Sequence, residues 1–211
     1  MNETVSVRPR RTQAERSAAT IERLHQAAID CLVEQGYART STQDICRRAG
    51  VSQGALFRHF PSRVAFMISL ADYIGQAMVL QFAQRFRHAG EQTPENVITL
   101  ALRLARANTR TPLHHVWTEL LVAARTDAEL REALQPIWAK NRDEIHAEAR
   151  QLFPALVREL TDIDTAIEVV IMCFQGEALN QWLNPSDLGD AQRSAWLGDR
   201  LRSLRLPGQD A

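Results

Sequence analysis

The segment Gly36 to Arg63, GYARTSTQDICRRAGVSQGALFRHFPSR, decides how the rest of the chain is read. From Thr40 to Ala49, Thr42, Ile45, Cys46 and Ala49 share one helical face. Thr40 or Ser41 can cap the start of that helix, with Gln43 or Asp44 three residues on to close a capping box. Gly50-Val51-Ser52 interrupts the pattern, and Ser52 is placed to cap a third helix whose Val51, Leu56 and Phe60 point inward. Pro61-Ser62 ends that helix and begins a fourth. Two short helices joined by a glycine turn, the second keeping its apolar residues to one side, meet the requirements of a helix-turn-helix. In such a unit the first helix braces on the phosphate backbone while the second lies in the major groove. Its N-terminal and outward residues here are Gln53, Gly54, Phe57 and Arg58, with Ala55 and His59 at the margin. Gln pairs bidentately with adenine, Arg with guanine, Ala touches a thymine methyl, and Gly54 lets the backbone approach.

Outward from this segment, charge separates by position. The chain of 211 residues has 25 basic and 25 acidic side chains, yet residues 1 to 63 hold ten Arg against six acids, so a head of +4 is cancelled by a remainder of −4. A basic first third is the asymmetry expected where one part of a chain meets a polyanion. Lys140 is the only lysine, so cation chemistry rests on Arg, which grips phosphate and guanine in bidentate fashion. Arg8, Arg10, Arg11 and Arg16 form a candidate minor-groove arm ahead of the first helix, a solvated tail being the alternative. Cys31, Cys46 and Cys173 are odd in number and form no CxxC pair, which points to neither a disulfide framework nor a zinc site. MNETVSVRPRR lacks the apolar core of a signal peptide, and the most hydrophobic stretch, Thr165 to Phe174, is too short to span a bilayer. A cytoplasmic protein without membrane contact is expected.

The run from Ile21 to Leu70 resembles the DNA-binding domain of the TetR family of transcriptional regulators. The resemblance rests on Gly36-Tyr37, Thr40-Ser41, Asp44-Ile45, Ala49-Gly50-Val51-Ser52, Gly54-Ala55-Leu56 and His59-Phe60-Pro61-Ser62, in order and without gaps. It implies a homodimer with a three-helix DNA-binding head and a larger helical domain that binds a small molecule, usually a repressor released by its ligand. It also implies that Thr40, Ser41, Ser52, Gln53, Gly54, Ala55, Phe57, Arg58, His59 and Arg63 serve DNA binding. Three positions depart from the family pattern: Phe57 stands where Tyr is usual and removes a phosphate-reaching hydroxyl, Arg63 replaces a common Lys and keeps its charge, and Cys46 replaces Ala as a small core residue.

Beyond residue 63, helical periodicity continues through segments near 63–87, 94–110, 112–125, 127–152, 162–183 and 188–204, with no sustained strand pattern. The expected fold is all-α, about nine helices. Residues 1–63 form a basic arm and helix-turn-helix head, and residues 64–211 form a ligand-binding and dimerisation domain. For the ligand cavity of the resemblance, Phe82, Phe86, Leu104, His114, Trp117, Leu121, Trp138, Phe174 and Gln175 are the candidates, each also able to serve as plain packing. Ala166 to Phe174 is apolar nearly all round, and Asp190 to Leu206 carries a stripe at Leu197, Leu201 and Leu204. These last two helices suit a dimer interface of the kind the family has.

No nucleophile elbow, P-loop, strand-borne GxGxxG or HExxH is present, and His114-His115 and the Glu144, His146, Glu148 group spread round their helices. Neither cofactor nor metal is expected. The reading is a ligand-responsive regulator that binds a palindromic operator in double-stranded DNA as a homodimer, most simply as a repressor, with a small-molecule effector that tilts the fourth helix. A helix-turn-helix dimer without any ligand, marked by a body packed solid, and an all-helical enzyme are the alternatives.

Overall fold

The computed structural model describes residues 12–90, 93, 96–160, 162–183 and 187–204. Among them are ten α-helices and no strand. The head holds α1 (Gln13–Gln35), α2 (Thr42–Ala49) and α3 (Gln53–His59). The long helix α4 (Arg63–Arg87) leads into α5 (Val97–Asn108), α6 (Pro112–Ala124), α7 (Ala128–Leu152), α8 (Pro154–Glu159), α9 (Ile163–Asn180) and α10 (Asp187–Ser203). Nine helices were expected, and α8 is the addition. Phe153-Pro154 reads as a stop, but Pro at the first helical position lacks only an N–H that would have no partner there, so a new turn begins at once.

Each boundary in the head has a local cause. Thr12 and Glu15 close a capping box at the start of α1. Ser41, not Thr40, caps α2, with its hydroxyl accepting from Asp44 N at 3.1 Å while the Asp44 carboxylate accepts from Ser41 N at 3.2 Å. Gly50 ends α2 at φ 65°, a left-handed conformation that costs glycine nothing.

Apolar residues collect in two cores. In the first, Leu24, Ile45, Leu56, Phe66 and Leu70 from the head and α4 pack with Val116 and Leu120 of α6 and Leu130 of α7. The second gathers Phe86, Ile98, Phe153, Leu156, Phe174 and Leu197 from α4, α5 and α7 to α10, with the Phe86 and Phe153 rings edge-on at 4.7 Å. The expected division at residue 63 falls at the first residue of α4, and the first core runs across it. Helix α4 is also the described helix long and apolar enough to cross a membrane, a longer stretch than the Thr165 to Phe174 run. Its Phe66, Met67, Leu70, Ala71 and Ile74 are wholly buried inside the protein, which accounts for that composition.

Candidate nucleic-acid interface and ligand cavity

Helix α3 is pinned at one side and bare on the other. Ser52 caps it by accepting from Ala55 N at 3.1 Å, Leu56 is fully buried, and Phe60 closes the far end. This leaves Gln53, Gly54, Phe57 and Arg58 exposed along with Ser41 and Ser52, while Ala55 and His59 are half-buried at the margin. Phe57 is 44% exposed, a large apolar ring turned to solvent where no packing explains it. Arg47 and Arg48 are tied to Asp44 and Glu34 at 2.6 Å, whereas Arg58 carries no ion pair or hydrogen bond among the described residues. A free guanidinium, an amide and an exposed ring on one short helix are suited to base edges and thymine methyls.

Two of the expected DNA-binding residues have partners inside the head. Thr40 is buried, its hydroxyl donating to the Gly36 carbonyl at 2.8 Å, because a turn that leaves α1 must satisfy its carbonyls internally. Arg63 turns inward. Its guanidinium donates to the Tyr37 hydroxyl at 2.7 Å and the Tyr37 carbonyl at 3.1 Å and lies 4.1 Å from the Tyr37 ring centroid. That makes it a clamp on the α1–α2 turn, since a planar cation stacked on an aromatic face gains more than one left in water. Of the basic arm, Arg8, Arg10 and Arg11 lie outside the described residues, and Arg16 is exposed on the first turn of α1.

A contact that the sequence did not signal joins the head to the body. Glu119 of α6 accepts from Tyr37 N at 2.7 Å, 82 residues away in the chain. Gly36, at φ 75°, makes room: a Cβ there would stand 3.0 Å from the same carboxylate oxygen.

Helices α4 to α10 line a partly open cavity of about 180 Å³. Of the nine candidates, Phe82, His114, Trp117, Phe174 and Gln175 line it. The other four do not. Phe86 packs on Phe153 behind the wall, Leu104 and Leu121 pack against the second and first cores, and Trp138 is 42% exposed under the Arg142 guanidinium. Sequence reading missed Asn108, Asn141 and the α9 residues Ala166, Ile167 and Val170. The all-round apolar character of α9 was the available signal: these residues face the cavity while Val169 and Met172 stand on the outside.

Two buried histidines are held neutral. Burial pushes His25 down to about 4, where its Nε2 lies 3.1 Å from Ser69 Oγ and its ring tilts against Tyr73 at 5.0 Å. His114 is also pushed down to about 4, chiefly by burial and further by the charge of His115, with the Thr109 carbonyl opposing. Among the described residues neither ring nitrogen of His114 has a partner at hydrogen-bond geometry, and the same is true of Asn141 Nδ2 and Asn108 Oδ1. Among the described residues no cluster of three His, Cys, Asp or Glu could hold a metal; Glu144 pairs with Lys140 at 3.6 Å and Glu148 with Arg87.

The stripe expected on α10 divides, with Leu204 48% exposed and the other two leucines turned inward. Leu197 is buried and Leu201 packs on the second core, so these residues serve the protomer itself. Further bare apolar surface lies on α9 at Val169, Met172 and Leu179, spaced by three and seven residues, and just past its end at Trp182 and Leu183, with Trp196 of α10 also 67% exposed.

A capped, outward-facing second helix on a short helix pair defines a helix-turn-helix DNA-binding head, here mounted on an all-helical body. Residues 24–70 match the family described as bacterial regulatory proteins, tetR family. The uncharacterized HTH-type transcriptional regulator Rv2912c of Mycobacterium tuberculosis is 36% identical over 170 residues, covering 76% of this chain and 86% of the relative. The HTH-type transcriptional repressor Rv3405c of the same organism is 31% identical over 76% of this chain and 87% of its own length. A crystal structure of a putative TetR-family regulator from Mesorhizobium loti has the same fold, with a TM-score of 0.70 at 17% identity over 90% of this chain and 98% of its own. The chain belongs to the TetR family: it is a DNA-binding transcriptional regulator and not an enzyme.

Proposed function

We propose that this protein is a homodimeric repressor that grips a palindromic operator with two copies of α3 and lets go when a small molecule enters the body. Residues 1–63 serve as the DNA-facing part and residues 64–211 as the effector and dimerisation part. The observation that carries the reading is a partly open apolar cavity, two of whose wall helices, α4 and α6, also touch the head. Helix α4 contributes Phe66 and Leu70 to the head core and Met78 and Phe82 to the cavity wall. On α6, His114 and Trp117 line the cavity, and Glu119 accepts from Tyr37 N one turn on. A ligand that displaces α6 or α4 therefore pulls on the turn that orients α2 and α3. The separation of the two recognition helices then departs from the spacing of successive major grooves. A differential affinity of about 10⁴ between the two states would swing the population almost completely.

The bare apolar surface on α9 supports dimerisation, since an apolar patch of this kind is expensive in water and suits a two-fold partner. The name of the relative Rv3405c, a transcriptional repressor, supports the sign of regulation. Arg58 and Gln53 are the proposed base readers, with Phe57 on thymine methyls and Ser41 and Ser52 on phosphate.

Selection of bound sequences from random DNA tests the reading. A palindrome with half-sites about one helical turn apart is expected, and loss of the shifted complex on addition of a cavity ligand. Enrichment of no site, or a monomer in light scattering, would overturn it.

A further inference from the structure

The cavity has a polar end that can be located residue by residue. Asn141 of α7 lies against Gly75 of α4, where a Cβ would meet its Nδ2 at 2.7 Å, and Asn108 of α5 donates to the Met78 carbonyl at 3.4 Å. Gly75 and Met78 are one helical turn apart, so the two amides sit side by side along α4. His114 lies beside the Thr109 carbonyl, next in chain to Asn108. All three groups line the same cavity, His114 and Asn141 are 4% and 7% exposed, and each group keeps a polar atom without a partner. A buried polar atom with no partner carries a desolvation cost that a ligand atom would remove.

Charge narrows the chemistry. Among the described residues no Lys or Arg lines the cavity, His114 is neutral at neutral pH, and the carboxylate of Glu148 is engaged by Arg87. A ligand anion would find no countercharge there, and a ligand cation would find its acid already neutralised. The unmet groups ask for both a donor and an acceptor: a neutral imidazole has one of each, and Asn141 and Asn108 offer an amide hydrogen and an amide oxygen. A hydroxyl supplies both and fits either imidazole tautomer and either amide orientation. Size narrows it further. The cavity of about 180 Å³ is only slightly larger than the engineered apolar cavity of about 150 Å³ that holds benzene. The wall away from the polar end is Phe82, Phe153, Ile167, Val170 and Phe174.

Building on the effector reading of this cavity, we infer that its ligand is a neutral, apolar molecule of about one ring and a short alkyl chain with a single hydroxyl, seated against His114, Asn141 and Asn108. The hydroxyl, and not a carboxylate or an amine, is what distinguishes it.

Titration calorimetry on the full-length protein at pH 7.5 tests this with three probes: 4-propylphenol, propylbenzene and 4-propylbenzoate. The phenol is expected to bind, with propylbenzene weaker by about tenfold or more because it leaves the polar end unmet, and the benzoate weaker still. In His114→Phe and Asn141→Leu the preference for the phenol over propylbenzene should shrink to within about threefold. Their melting temperatures should hold or rise, because each substitution removes a polar atom that had no partner. A benzoate that binds as well as the phenol, a propylbenzene that matches it, failure of all three probes to bind, or an unchanged preference in both variants would each overturn the inference. A phenol that binds with the expected preference but leaves the selected operator complex intact supports the ligand class and defeats the effector reading instead.

Discussion

In the first core Leu24, Ile45 and Leu56 are wholly buried and Phe60 meets Phe66 edge-on at 5.1 Å. In the second core the rings of Phe82, Phe153 and Phe174 stand around about 180 Å³ of open space. The residue types are alike, but one core is filled and the other is hollow. A filled core resists deformation and holds α2 and α3 in one relation, which a fixed DNA spacing requires. A hollow core forgoes the dispersion contacts its lining atoms would otherwise make, and these are available to a ligand. Glu119 and Tyr37 lie at the first core, and Trp117, two residues before Glu119, belongs to that core and also lines the cavity, so the stiff part can report what happens in the soft one.

Shrinking a side chain in the filled core should have the largest effect. Leu56→Ala is expected to lower unfolding free energy by about 2–5 kcal/mol in chemical denaturation; a loss below about 1 kcal/mol would mean that the head is loosely packed after all.

Acid probes both regions at once, because His25 sits in the first and His114 beside the second. Each has a folded pKa of about 4 against an ordinary 6.5, so the unfolded chain takes up the proton first. Above pH 6.5 neither contributes. As pH falls from 6.5 to 4, each should cost up to about 1.4 kcal/mol of stability per pH unit. Denaturation series at several pH values on wild type, His25→Gln and His114→Phe should assign half the slope to each, and a slope unaffected by both substitutions would refute the account.

A smaller effect is expected at the DNA surface. Arg58→Ala should cost about 1–3 kcal/mol per contact and relax base preference at one position of each half-site. Equal loss on specific and random DNA would make it a phosphate contact only. Enlarging a cavity residue should cost less still: Val170→Phe places a ring in open space, so stability should move by less than about 1.5 kcal/mol while probe binding is lost. A larger destabilisation would show that the space is not usable. Finally, Trp138→Ala, at an exposed position outside the cavity, should stay within about 0.5 kcal/mol of wild type and bind probes unchanged.

The head was more legible than the body for a physical reason. Capping by Ser41 and Ser52, the glycine stop at Gly50 and the inward set of Leu56 are relations over three or four residues, and helical spacing alone orients them. That logic ends at Thr40 and Arg63, whose partners lie in the α1–α2 turn and not along their own helix. In the body, Trp117 and Trp138 looked alike in sequence, but one lines the cavity and the other lies on the surface. Leu197, Leu201 and Leu204 share one stripe by spacing, but the second core takes the first two and leaves Leu204 exposed.

The sequence by itself determined the all-helical class, the short capped helix pair and the side chains that α3 turns outward, because caps, glycine stops and helical periodicity act over a few neighbouring residues. Only the tertiary structure decided which apolar residues enclose space, which polar atoms at Asn108, His114 and Asn141 were left unmet, and how Glu119 reaches Tyr37. Those outcomes depend on how helices distant in the chain come to lie against one another, and no local spacing specifies that.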